Sequence, residues 1–201
     1  MTNVVKPHFI HTRDPYKLYP HDYVLKYFML PLIPRKVTPN MITLLRLFLT
    51  PFVVWFIMRE QWNVGVPLFL FTAFTDALDG SLARVRRQIT DWGTFYDPVA
   101  DKLLIGIVVL IIVVKYINPY FGMIIILLEF LIIGAGYLRR RRGILLPANV
   151  FGKVKMFLQV CGVTFLLVSV WGGVDLFVHL SVGSFSLGIV FAVISLFTYG
   201  I

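Results

Sequence analysis

The chain has 201 residues, 58% of them hydrophobic and only 14% charged, against roughly 25% charged in soluble domains. That balance excludes an ordinary soluble domain, and the length suits one membrane-embedded unit, a single domain over 1–201. The net charge of +9 does not point to nucleic acid, because fifteen of the nineteen Lys and Arg residues fall in 1–40, at Arg84, Arg86 and Arg87, and between Arg139 and Lys155. Those are alternate connections, as the positive-inside rule requires. They place the basic face in the cytoplasm, against anionic headgroups.

Residues 1–40 are polar and basic and show no apolar core followed by a small-residue cleavage site, so they read as a cytoplasmic N-terminal segment. Within it, 21–33 is apolar and aromatic but too short to span, which predicts an amphipathic helix lying on the membrane surface. Apolar runs of about 20 residues then predict six transmembrane helices, over 41–59, 64–85, 92–116, 119–139, 149–170 and 175–199. Pro39, Pro98 and Pro119 suit helix starts or interfacial kinks, and Asn149 suits a helix cap. The expected fold is therefore an all-α integral membrane protein of six spans plus one interfacial helix. An even number of spans behind a basic N-terminus places both termini in the cytoplasm. Cys161, in an apolar run, reads as a small buried hydrophobe.

Of ten acidic residues, Asp76, Asp79, Asp97 and Asp101 fall within 26 positions. A carboxylate near a bilayer is costly and persists where a metal, a partner charge or an ion path compensates it. Helical spacing puts Asp76, Asp79, Gly80 and Ala83 on one stripe of the second span, and Gly93, Asp97 and Asp101 on one stripe of the third. Antiparallel neighbours joined by a cytoplasmic turn would bring the stripes together, giving a pocket walled by carboxylates and floored by Gly80, Ala83 and Gly93. Four such carboxylates need cations between them. All-oxygen donors without His or Cys favour a hard ion, two Mg²⁺ or alternatively Mn²⁺, and paired ions of that kind serve displacement at phosphorus. Arg84, Arg86 and Arg87 supply counter-charge for phosphates. The residues alone thus indicate metal-dependent phosphoryl chemistry on a substrate reaching the cytoplasmic face. Salt-bridged aspartates, or the permeation site of an ion or metal transporter, are the competing readings.

The stretch Asp76-Ala-Leu-Asp79-Gly80-Ser-Leu-Ala83-Arg84, with Gly93, Asp97 and Asp101, resembles the D-x-x-D-G-x-x-A-R-x8-G-x3-D-x3-D signature of the CDP-alcohol phosphotransferase family at all eight fixed positions. Upstream, Pro39-Asn40-Met-Ile-Thr43 resembles that family's P-N-x-x-T segment. The resemblance implies about six spans, an interfacial helix and a homodimer. It implies that Asp76, Asp79 and Asp97 ligate two metals, and that Asp101 touches the second metal and is the general base. It also implies a CDP-lipid site drawing on Asn40, Thr43, Gly80, Ala83, Arg84, Thr90 and Gly93. The reaction implied is attack of an alcohol on the β-phosphate of CDP-diacylglycerol, with loss of CMP.

The acceptor is read elsewhere. Asp97-Pro98-Val-Ala-Asp101-Lys102-Leu103 resembles the form of the phosphatidylglycerophosphate and cardiolipin synthase branches, and Gly152-Lys153-Val-Lys155-Met156-Phe-Leu-Gln159 resembles a segment of the former. Lys153 and Lys155 are then the acceptor-binding candidates, and glycerol 3-phosphate, a small phosphorylated alcohol, is the expected acceptor. Phosphatidylglycerol, giving cardiolipin, and inositol phosphate are the alternatives. Met156 and Leu128 stand where that branch usually has Thr and Arg. Glu129, an acid within a span, is expected to pair with Arg46 or a helix donor, and Arg139–Arg142 to anchor the chain at the membrane surface.

Overall fold

The computed structural model describes residues 18, 20–34, 36–141 and 150–199. The expected cap Asn149, Arg142 and residues 1–17 lie outside these. Every regular element among the described residues is helical. A short α1 (Pro20–Phe28) and a 3₁₀ turn (Leu30–Leu32) precede six long helices: α2 (Pro39–Met58), α3 (Trp62–Val85), α4 (Asp91–Tyr116), α5 (Pro119–Arg141), α6 (Val150–Gly172) and α7 (Asp175–Tyr199). The ends of the long helices fall within two residues of the expected limits. The expected helix over 21–33 is shorter, ending at Phe28, and Pro31 sits in the 3₁₀ turn that follows, where it cannot donate an α-helical hydrogen bond.

Five helices, α2, α3, α5, α6 and α7, are long and apolar enough to cross a membrane. The fourth, α4, has the length at 26 residues but carries Asp101, Lys102 and Lys115 along its apolar part. The exterior is apolar, with Phe48, Trp55, Phe71, Leu127, Phe130 and Phe197 exposed. Polar groups are instead gathered inside, the inverse of a water-soluble bundle.

Local chemistry explains the helix limits. Thr38 is extended before Pro39, whose ring opens α2 because the first turn needs no N–H donor there. Thr90 caps α4: its Oγ1 accepts from Gly93 N at 3.0 Å. At the ends of α2 and α3 the chain reverses through left-handed residues, Glu60 (φ 57°) and Arg87 (φ 55°). Gln61 N donates to Phe56 O, and Gln88 N to Ala83 O. Both ends thus close as Schellman motifs, built without the usual glycine.

Buried positions on α2 run Ile42, Thr43, Arg46, Thr50, Val53 and Ile57, at spacings of three and four that share a face. On α3 the same face carries Val66, Phe69, Thr72, Thr75, Asp79 and Leu82. A main core of Val53, Ile57, Phe69, Leu104, Val108 and Leu166 therefore gives way to a polar layer. A second small core, Leu25, Leu30, Ile42 and Leu82, closes the bundle beyond it. The charged layer lies between two apolar ones.

The helices α6 and α7 meet at Gly162. A Cβ there would lie 2.9–3.0 Å from the ring of Phe185, which is itself buried, and Ser181 Oγ donates to Gly162 O at 2.8 Å. Gly162→Ala is expected to destabilise the protein by about 1–3 kcal/mol through overpacking. A lower melting temperature in detergent would show it, and an unchanged one would mean that the two helices separate freely.

Candidate active site

Arg46 lies at the centre of the polar layer. It is fully buried and forms ion pairs with both Asp76 and Asp79, reaching them from the facing stripe of α2. Asp79 is only 2% exposed and also accepts from Thr43 Oγ1 at 3.1 Å. Asp76, 39% exposed, opens outward. Two of the four motif carboxylates thus meet one guanidinium, and Asp101 stands on α4. Asp97 belongs to α4, but its side chain is outside the described residues. Arg46 Nε is buried without a hydrogen-bond partner among the described residues, at a typical cost of about 1–3 kcal/mol.

Asp101, 6% exposed, also lines a cavity of about 180 Å³ between α4, α5 and α6, together with Lys102, Glu129, Gly152, Lys155 and Gln159. Lys155 is buried and ion-paired with Glu129. Of the two partners expected for Glu129, Arg46 is taken by the aspartates of α3, and a helix donor, Lys155 of α6, makes the pair. Lys153 points to an exposed face of α6. The structure therefore separates the two lysines and sets only Lys155 in the cavity.

The glycine floor also differs from expectation. Arg84 lays its side chain back along α3, as helical side chains do, and its guanidinium covers Gly80, within 3.4–3.8 Å of where a Cβ would stand. The space above Gly80 thus holds an arginine. Arg84 is gripped by Asp22 of α1, with Nε to Oδ2 at 2.8 Å and Nη2 to Oδ1 at 2.7 Å, and Ser81 Oγ donates to the same carboxylate. Arg86 donates to the carbonyls of Ile33 at 2.7 Å and Val37 at 3.0 Å. Two of the three arginines read as phosphate counter-charge therefore also tie the N-terminal segment to α3. Thr90 donates to Asn40 Oδ1 at 2.9 Å, bringing the starts of α2 and α4 together beside half-buried Ala83 and buried Gly93.

Sequence reasoning gave no central role to Arg46 or to Asp22. The signal for Arg46 was present, a charge inside an apolar run. Asp22 gave none, being one acid in a basic segment. Among the described residues no three His, Cys, Asp or Glu side chains gather as a metal site.

A sequence model of the family described as CDP-alcohol phosphatidyltransferase matches residues 36–198. A Bacillus subtilis (strain 168) protein named CDP-diacylglycerol--glycerol-3-phosphate 3-phosphatidyltransferase is 32% identical over 146 residues, 65% of this chain and 76% of its own. A Pseudomonas fluorescens protein of the same name is 42% identical over 83 residues, 40% of this chain and 43% of its own. A Drosophila melanogaster protein named probable cardiolipin synthase (CMP-forming) is 36% identical over 104 residues, 51% of this chain and 32% of its own.

Proposed function

This chain belongs to the CDP-alcohol phosphatidyltransferase family, and we propose that it transfers the phosphatidyl group of CDP-diacylglycerol to glycerol 3-phosphate, forming phosphatidylglycerol phosphate and CMP. The observation that carries the reading is the position of Asp101. It is a carboxylate of the motif, and it lines a cavity whose buried cation is Lys155. The names borne by the Bacillus and Pseudomonas relatives support the acceptor.

In the proposed reaction the acceptor hydroxyl oxygen bonds to the β-phosphorus. The bond from that phosphorus to the bridging oxygen breaks, and CMP leaves with the oxygen and its electron pair. Asp101 takes the hydroxyl proton. Lys155, oriented by Glu129, meets the acceptor's own phosphate within the cavity. The donor set fits divalent metal, since carboxylate oxygens from successive turns of α3 already converge on one cationic group. Asp76, Asp79, Asp97 and Asp101 would hold two Mg²⁺ or Mn²⁺ ions, which when bound would neutralise the diphosphate.

The proposal includes α4 as a sixth span and a single domain with α1 lying on the cytoplasmic surface. It places the site and both termini on that side, as the basic connections favour, and takes the protein as a homodimer by family resemblance. Transport is disfavoured. Beyond Asp101, the buried face of α4 is Leu104, Ile105, Val108, Val109, Ile112 and Val113, with nothing to coordinate an ion.

A second acceptor has specific support. An apolar groove of about 510 Å³ between α4 and α5 opens beside Lys102 and Glu129 and would suit the chains of phosphatidylglycerol, the acceptor of a cardiolipin-forming reaction. The deciding experiment measures CMP release from CDP-diacylglycerol with Mg²⁺, over glycerol 3-phosphate, phosphatidylglycerol, inositol phosphate and serine. Glycerol 3-phosphate is expected to be the productive acceptor, and no release with any of them would refute the transferase reading. Lys155→Gln is expected to raise the KM for glycerol 3-phosphate about 10- to 100-fold, the loss of one charge-assisted contact. Steady-state kinetics at saturating CDP-diacylglycerol check this, and an unchanged KM would remove Lys155 from the acceptor site.

A further inference from the structure

Asp22 joins α1 to the motif on α3. Asp22 is fully buried although it lies on a helix of nine residues at the edge of the protein. Its neighbours Tyr23, Tyr27 and Phe28 are exposed. Its two oxygens take the Nε–Nη2 edge of Arg84 in a fork-to-fork pair and also accept from Ser81 Oγ. Leu25 and Leu30 pack against Ile42 and Leu82, and Arg86 holds the following linker by its carbonyls. The buried carboxylate also meets one guanidinium in the middle of the motif.

Two arginine geometries are separated by that contact. An arginine whose fork is matched by a planar carboxylate keeps one plane and one edge, so it loses little freedom when it meets a phosphate. An unmatched one on a helix end samples many rotamers, and binding an anion must order them. Here the plane is set doubly, by Asp22 at one edge and by the bare surface of Gly80 beneath.

We propose that Asp22 is a positioning residue of the CDP-lipid site, holding the Arg84 guanidinium flat over Gly80 so that the N-terminal helix α1 forms part of the nucleotide-phosphate site. This rests on the proposed reaction, in which Arg84 meets a phosphate of the CDP group. Charge and position pull in opposite directions. Removing a carboxylate near a diphosphate, on Coulomb grounds alone, tightens anion binding. Loss of orientation weakens it. The sign of the change therefore decides the matter.

The test uses the full chain purified in detergent with Mg²⁺, titrated with CDP in a calorimeter and assayed for CMP release. Asp22→Asn is expected to weaken CDP binding and raise the KM for CDP-diacylglycerol about tenfold or more. The kcat and the acceptor KM are expected to change little. In an Arg84→Gln background the same change is expected to add nothing. Equal or tighter CDP binding by Asp22→Asn overturns the proposal. So does an additive loss, or a uniform fall in activity that tracks a lower melting temperature. Should Asp22→Asn yield no folded protein, Asp22→Glu keeps the charge and shifts it by one methylene. The same selective loss of CDP affinity supports positioning, and wild-type affinity overturns it. Wild-type protein that binds CDP but releases no CMP with any acceptor sinks the reaction, whereas CDP affinity indifferent to Asp22 sinks the clasp.

Discussion

Asp101→Asn is expected to lower kcat by about 10²–10⁴-fold, the usual contribution of a positioned general base, while CDP-diacylglycerol binding stays within a few-fold. The geometry supports both halves. Asp101 is buried on the wall of the cavity that also holds the Lys155–Glu129 pair, the place the proposed reaction gives the acceptor hydroxyl. It makes no direct ion pair with Arg46; that guanidinium is held by Asp76 and Asp79, so the amide leaves the α2–α3 cluster in place. The amide keeps the shape of the carboxylate but cannot take a proton. Single-turnover CMP release, set beside CDP affinity by calorimetry, separates the two effects. A loss of CDP binding as large as the loss of rate would make Asp101 chiefly a metal ligand and shift the base to another group.

The second large effect is on stability. Arg46→Met is expected to cost about 3–5 kcal/mol in metal-free buffer, because removing one partner of a buried ion pair strands the other. Asp79, 2% exposed, would lose the guanidinium it pairs with, while Thr43 Oγ1 still donates to it. Asp76 would lose its partner as well, but it is open to the outside and can be hydrated. Added Mg²⁺ is expected to recover part of that loss, since a cation binding only the folded state stabilises it by mass action. Melting curves of wild type and variant, each with chelator and with Mg²⁺, decide this. An unchanged melting temperature in chelator would mean that the pair contributes nothing. A metal response equal in both proteins would mean that Arg46 and the cation do not share the aspartates.

Both predictions draw on information of different origin. The aspartate spacing was visible as two helical stripes, because residues three and four apart share a face whatever the rest of the chain does. That Asp76 and Asp79 meet an arginine from α2 was not visible, since Arg46 is thirty or more residues distant and pairing across helices depends on their rotation. The stripe logic also misjudged Gly80. Spacing marked it as an opening, but the same spacing brings Arg84, one turn later, over it. Lys153 and Lys155 looked equivalent by charge and position, yet two residues apart on a helix they project about 200° from one another. Lys155 turns inward and is buried beside Glu129 of α5, while Lys153 lies on an exposed face.

The amino-acid sequence by itself determined what local patterns can carry: an apolar helical chain, the limits of six long helices, the alternation of basic connections, and the carboxylate signature of the family. These follow from hydropathy, turn chemistry and helical period, none of which needs a distant partner. The tertiary structure alone decided which cation the aspartates face, which lysine enters the cavity, and that Asp22 of a short surface helix reaches the motif arginine. Such pairings join residues tens of positions apart, and they are set by how helices rotate and approach once their apolar faces are buried.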